Sequence, residues 1–222
     1  MQKFATPAPI AAVLDIPAGR VQFIAADRDD TTVEVLPADA AKGRDVKVAE
    51  QTTVEYADGV LRIAASAKNQ YFGATGSVEV TVQLPAGSRV EVKAASAEFR
   101  GVGRLGDVAF TGAQGPIKID EAAGARLSIV DGDVSVGRLN GSAEITTAKG
   151  DISVAEAVSG KLVLRTQAGG VSVAAAAGVS ATLDAGTSNG RISNALKNAD
   201  GADAPLTIEA TTSYGDIDAR SL

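Results

Sequence analysis

Glycine returns through the middle of the chain at 106, 115, 124, 132, 141, 150, 160, 169 and 178, in steps of 8 to 10 residues. Nearly every one opens a run in which apolar and small polar residues alternate, most clearly Gly132-Asp133-Val134-Ser135-Val136 and Gly150-Asp151-Ile152-Ser153-Val154. Leu127-Ser128-Ile129 and Leu162-Val163-Leu164 fill the intervening units. A fixed period with two-residue alternation inside it specifies an all-β repeat fold, a β-solenoid or parallel β-helix. Two half-units make one coil of about 18 residues, with strands stacked about 4.8 Å apart. Gly115, Gly132, Gly150, Gly169 and Gly190 then share one edge, and Gly106, Gly124, Gly141, Gly160 and Gly178 the other. Val134 and Ile152, alike in following Gly-Asp, are expected to point inward and stack in register. Leu139 and Val158 offer a third short face, which leaves the cross-section open between flat and triangular.

The 222 residues are read as a single domain, 1–222, with a regular solenoid over 96–222 and a less regular β part over 1–95 where antiparallel hairpins are expected. Hydrophobic residues make up 45% of the chain and aromatic ones 4%, so the core is expected to be a thin layer of Val, Ile, Leu and Ala. Residues 1–9, with Pro7 and Pro9, read as an extended arm. Val13 to Ile24 reads as strand, turn, strand around Pro17-Ala18-Gly19, a phrase echoed at Pro85-Ala86-Gly87. Thr31 to Leu36 is a short strand, followed by a charged loop around Lys42, Arg44 and Asp45. Gln51 to Ala57 and Val60 to Ala65 form a hairpin across Asp58-Gly59. Lys68 to Gly73, with Tyr71 and Phe72, reads as a loop folded over a sheet edge. No helix longer than a turn or two is expected, and Ala174 to Ala177 line a tight corner. Asn194 to Pro205 is a polar insertion, after which Leu206-Thr207-Ile208 and Tyr214-Gly215-Asp216-Ile217-Asp218 resume the pattern as the final coil.

Several phrases outside the repeat carry a family resemblance: Leu14-Asp15-Ile16-Pro17-Ala18-Gly19, Asp27-Arg28-Asp29-Asp30-Thr31, Val80 to Val90, and the closing Thr212-Ser213-Tyr214-Gly215-Asp216-Ile217. With the recurring Gly-Asp-Ile/Val units, they make most of the chain resemble the bacterial putative-adhesin family, domains of unknown function with β-strand repeats, of the actinobacterial type. The resemblance implies a β-helix-like fold and a role in interaction.

Composition narrows the chemistry. With 21 basic and 27 acidic residues the net charge is −6 and the pI about 4.8, which argues against nucleic acid as a partner. Histidine and cysteine are both absent, removing disulfides, the usual zinc ligands and histidine-based catalysis. No secretory leader is evident in the first residues and no stretch suits a membrane span, so the chain as written reads as cytoplasmic, without membrane insertion, and surface or secreted if a leader has been removed.

Three carboxylates, Asp131, Asp133 and Asp151, fall together at one edge. They are candidates for a calcium roll or for paired acid–base work on a polysaccharide, against a plainer reading in which each carboxylate caps backbone in its own turn. The calcium roll requires Gly-Gly-x-Gly-x-Asp in successive turns, and the equivalent positions continue instead as Pro116, Gly170 and Arg191. Thr111, Thr147, Thr166 and Thr187 recur before glycines, either as a flat water-ordering row or as hydroxyls laddered between coils. Gly101-Val102-Gly103-Arg104-Leu105-Gly106 has dinucleotide-fingerprint spacing but no βαβ context. The expectation is a non-enzymatic binding or scaffold module with no cofactor, no catalytic residue and no metal, whose partner is protein or a second copy meeting the coil end near Leu206 to Leu222. The alternatives are a carbohydrate-active β-helix enzyme and a calcium-binding roll.

Overall fold

The computed structural model describes residues 1–65 and 76–222; the expected loop Lys68 to Gly73 lies outside the described residues. Two compact units divide the chain, Met1–Gly115 and Pro116–Leu222.

The first unit comprises β1 (Gln2–Ala5), β2 (Ala11–Ala26), β3 (Asp30–Pro37), α1 (Gly43–Gln51), β4 (Thr52–Ala57), β5 (Val60–Ala65), β6 (Val78–Pro85) and β7 (Arg89–Gln114). Its centre is β2. One edge pairs in parallel with β7 from Ala11↔Arg89 to Ile24↔Val102, and the other pairs in parallel with β5 and β6. Beyond these lie antiparallel partners: β4 on β5, β3 on β6 and β1 on β3. The β4–β5 hairpin turns at Asp58-Gly59, both with positive φ (51° and 77°), the backbone that a two-residue hairpin with right-handed twist requires. Past a bend at Gly103, β7 folds back over its own beginning, and the Gly106 N–H donates to the Ser88 carbonyl at 2.8 Å.

Three expectations are corrected in this unit. The Pro-Ala-Gly echo does not mark equivalent places, because β2 runs straight through residues 17–19 and sets Gly19 opposite Ala97, whereas Pro85-Ala86-Gly87 ends a strand in a turn. The charged loop around Lys42 is in fact the nine-residue helix α1. Tertiary contacts outweigh the low helix propensity of Val46 and Val48: the buried Asp45 carboxylate accepts the Ser77 N–H at 3.0 Å, Val48 is buried, and the Thr52 hydroxyl donates to the Val48 carbonyl at 2.8 Å to close the helix end. Finally, the core is not wholly aliphatic. Phe23, Phe99 and Phe110 are fully buried and pack in tilted contacts with ring centroids 6.1 and 5.6 Å apart.

In the second unit the strands are β8 (Ile117–Ser128), β9 (Val134–Leu139), β10 (Ala143–Thr146), β11 (Ile152–Ala157), β12 (Gly160–Arg165), β13 (Val171–Ala175), β14 (Ala181–Asn189), β15 (Ile192–Ala195), β16 (Leu206–Tyr214) and β17 (Ile217–Ser221). Every pairing among them is parallel, and they form two ladders. One stacks the inward row Ile117, Val134, Ile152, Val171, Ile217 and Ile192. The other stacks Leu127, Ile145, Leu164, Ala210 and Ala185. Val134 and Ile152 are directly in register, each 1% exposed. Between the ladders the strand bends, and Ala122, Leu139, Ala157 and Ala175, all 0% exposed, form a third inward row; Val158 is only half-buried and takes no part in it.

The coils do not stack in chain order. β16 pairs with β12 on one edge and β14 on the other, and β17 pairs with β13 and β15 in the same way. The final coil, 206–221, therefore sits between coils 160–175 and 181–195. The outermost layer of this unit is residues 181–195, and the expectation that Leu206 to Leu222 forms the open end is corrected accordingly. A period counted along the sequence carries no information on this, because coil 181–195 and coil 206–221 fit the same aliphatic pattern and exchange places without changing it.

Candidate functional site

The Gly-Asp turns are built by three columns of interactions that run from coil to coil. In the first, the backbone at each glycine lies against the preceding coil: a Cβ at Gly150 would overlap the carbonyl of Gly132, at Gly169 that of Gly150, at Gly215 that of Gly169, and at Gly190 that of Gly215. Glycine stands here because the coils approach backbone to backbone, and at Gly150, Gly169 and Gly215 also because φ is positive. Gly215 thus enters the edge between Gly169 and Gly190, a place that the sequence period leaves unmarked.

Carboxylates make the second column. Asp133 Oδ1 accepts the Asp151 N–H at 2.9 Å, Asp151 Oδ1 accepts the Gly170 N–H at 2.7 Å, and Asp216 Oδ1 accepts the Arg191 N–H at 2.8 Å. Each caps the next coil and not its own turn, which corrects that detail of the turn reading. Arg191 also sets its guanidinium 3.0 Å from Asp216 Oδ2. Its backbone N–H first, and then this guanidinium, hold the Asp216 carboxyl below the usual carboxylate range. The ladder breaks once, at Gly170, which has no side chain to offer the coil above.

Threonines make the third column. Thr147, Thr166, Thr212 and Thr187 donate to the carbonyls of Gly132, Gly150, Gly169 and Gly215, at 3.4, 3.0, 2.9 and 3.0 Å. Thr147, Thr166 and Thr212 are buried, so they present no flat row to solvent, and Thr111 lies exposed in β7, outside the column. All three columns give the same spatial succession, with coil 206–221 between coils 160–175 and 181–195.

Of the three candidate carboxylates, Asp133 and Asp151 occupy equivalent places in this scaffold. Asp131 is exposed one step outside it, where its backbone bridges Lys149. Among the described residues no three of Asp, Glu, His or Cys gather in a metal-holding group. Gly101 to Gly106 runs within β7 with no helix after it, so it opens no phosphate cradle. Sequence reasoning did not single out Asp216 and Thr212 as partners in these columns; Gly215-Asp216-Ile217 repeats the Gly-Asp-Ile phrase and was the signal that could have found them.

The two ladders present different outer faces. On the β9–β11–β13 side Ser135, Ser153 and Ser172 are aligned in register, a smooth row of short side chains. Beside it Arg138 joins Glu156 and Asn140, and Asn140 in turn donates to Glu121 at 2.9 Å. The β10–β12–β16 side is charged, with Glu144 between Arg126 (3.7 Å) and Arg165 (3.9 Å), and Lys161 2.6 Å from Glu209. No helix among the described residues is long and apolar enough to cross a membrane.

Three solved structures align over nearly the whole chain at low similarity. They are a putative cell adhesion protein from Clostridium sporogenes (14% identity, 100% of this chain and 98% of that one, TM-score 0.39), a putative adhesin from Bacteroides fragilis (12%, 98% and 95%, 0.46) and a putative adhesin from Parabacteroides distasonis (13%, 98% and 95%, 0.36). No curated protein matches the chain. The model of one protein family matches residues 13–221, nearly the full length, and the chain belongs to that family, Toastrack DUF4097.

Proposed function

We propose that this protein is a non-enzymatic, adhesin-like binding module whose partner is a protein, engaged through the outer faces of the second unit. The observation that carries this reading is the employment of Asp133 and Asp151: each commits an oxygen to a backbone N–H of the next coil, so the best-placed carboxylates are structural. A chain without histidine or cysteine is left to carboxylates, amines and hydroxyls for acid–base or nucleophilic work. The serine row Ser135, Ser153 and Ser172 gives a partner an even surface that presents hydroxyls for hydrogen bonding. Affinity purification from native cells with the full chain and with a Ser153→Arg variant tests it. A protein partner held by the wild type and lost by the variant is expected. A hydrolase or lyase activity that Asp133→Asn abolishes while the fold is kept overturns the reading.

A further inference from the structure

Coil 181–195 is left with one side unpaired. Among the described residues β14 pairs only with β16 and β15 only with β17, and the polar insertion meets the outer edge at Ala181, whose N–H donates to the Lys197 carbonyl at 3.0 Å. Ile192 occupies the same inward row as Val134, Ile152, Val171 and Ile217, yet it is 46% exposed where those are 2% or less. Beyond the insertion's contacts at Ser180 and Ala181, and apart from Arg191, little on this edge discourages pairing. The nine residues of β14, Ala-Thr-Leu-Asp-Ala-Gly-Thr-Ser-Asn, contain no proline, no lysine and a single charge, and β15, Ile-Ser-Asn-Ala, has none. Free edges in natural sheets are short, charged, bulged or covered, because an unprotected one is a template for another strand.

We propose that coil 181–195 is a self-association surface on which two copies of this chain set β14 against β14 in antiparallel fashion, each covering the other's open coil. A second copy suits this edge because, among the described residues, the first unit ends in antiparallel hairpins and α1 and offers no matching open coil for head-to-tail addition. Two identical open coils satisfy each other and close as a two-fold dimer. Centred on Ala185, the pairing places Asp184 opposite Gly186 and Leu183 opposite Thr187, so no like charges are directly opposed. Ile192 then leaves water in both copies. The inference rests on the reading of the protein as an association module, yet it concerns the coil end and not the serine face.

Light scattering on the full chain from micromolar to near-millimolar concentration tests it, alongside Ile192→Lys and Val130→Lys, the latter a control at another exposed apolar residue of the same unit (56% exposed). The expected result is a mass rising to twice that of the chain, a dissociation constant raised about tenfold or more by Ile192→Lys, and no change with Val130→Lys. Amide exchange in β14 is expected to slow as concentration rises. A wild type that stays monomeric throughout, or a dimer that Ile192→Lys leaves intact, overturns the proposal. The serine-face reading survives either result provided that Ser153→Arg still loses its partner.

Discussion

In the N-terminal unit the outermost strands are β4, from the segment between β2 and β7, and β1 from the start of the chain, and the layer is finished with antiparallel pairing, a helix tied down by the buried Asp45, and the ion pairs of Asp30 with Lys3 (2.8 Å) and Arg28 (2.7 Å). In the C-terminal unit the outermost layer is internal to the chain, residues 181–195, and it remains a bare coil with Ile192 in solvent. Both units thus hold a strand from near a chain terminus inside, β2 in one and β16 with β17 in the other, and set segments from between their other strands outside it. The difference is that one layer is capped and the other is not. A solenoid coil buries its apolar row only against neighbours on both sides, so the same sequence pattern is worth much in the interior of a stack and little at its bare end.

Removing the final coil should expose that difference most. A chain ending after Ala204 loses β16 and β17, which carry every strand pairing of coil 181–195 among the described residues, so residues 181–204 should exchange as unfolded chain and coil 160–175 should lose its outer neighbour. Deleting Gln2–Ala5 instead removes only an outer antiparallel strand, and should shift the melting temperature by no more than a few degrees. If both truncations lower the melting temperature equally, the contrast between the units fails.

Within one row the effect should divide by layer. At a concentration where the chain is monomeric, Ile152→Asp buries an unpartnered charge and should cost about 3–5 kcal/mol in urea unfolding, whereas Ile192→Asp, in the same row but at the open coil, should cost about 1 kcal/mol or less. Equal losses there would mean that coil 181–195 is covered within the monomer itself. Next in size is the carboxylate column. Asp151→Ala leaves the Gly170 N–H without its acceptor and should cost about 1 kcal/mol, by analogy with lost helix caps. No change would show that water replaces the carboxylate.

Acid should produce the smallest separable effect. Asp30, held below the usual carboxylate range by Lys3 and then Arg28, and Asp216, held there by Arg191, both have depressed folded values. Their contribution is present above the unfolded value of about 3.9 and is lost as pH falls through the folded one. Denaturation midpoints measured downward from pH 5 should therefore decline, with Asp216→Asn flattening part of that decline. A variant with the wild-type slope would remove Asp216 from the account.

How much of this was legible in the sequence follows from what a period can encode. The Gly-Asp-Ile/Val units specify strand, inward residue and register between adjacent copies, and Val134 over Ile152 is the direct result. Asp58-Gly59 specifies its hairpin because positive φ at two successive residues is a local demand. What the period cannot encode is which copy neighbours which: Ile192 and Ile217 are equally good successors to Val171, and the choice is made by contacts such as Thr212 on Gly169 and Asp216 on Arg191. The helix α1 was hidden for a similar reason, since its supports, Ser77 and Gly76, are about 30 residues away. The structural role of Asp133 and Asp151 was half visible: the turn was evident, but the acceptor's partner in the next coil was not.

The order of the coils is the claim on which the rest depends, and the absence of cysteine makes it directly testable. Ser172 is paired in register with Asp218, and Asp218 with Ser193, all on one outer face. Neighbouring strands place such Cα atoms about 4.8 Å apart, within disulfide reach, and strands two steps apart about 10 Å, beyond it. Under mild oxidation the double variant Ser172→Cys with Asp218→Cys should form an intramolecular disulfide nearly completely, and Ser172→Cys with Ser193→Cys should remain reduced. A disulfide between positions 172 and 193, with 172 and 218 left unlinked, would mean that the coils stack in chain order and would contradict the account.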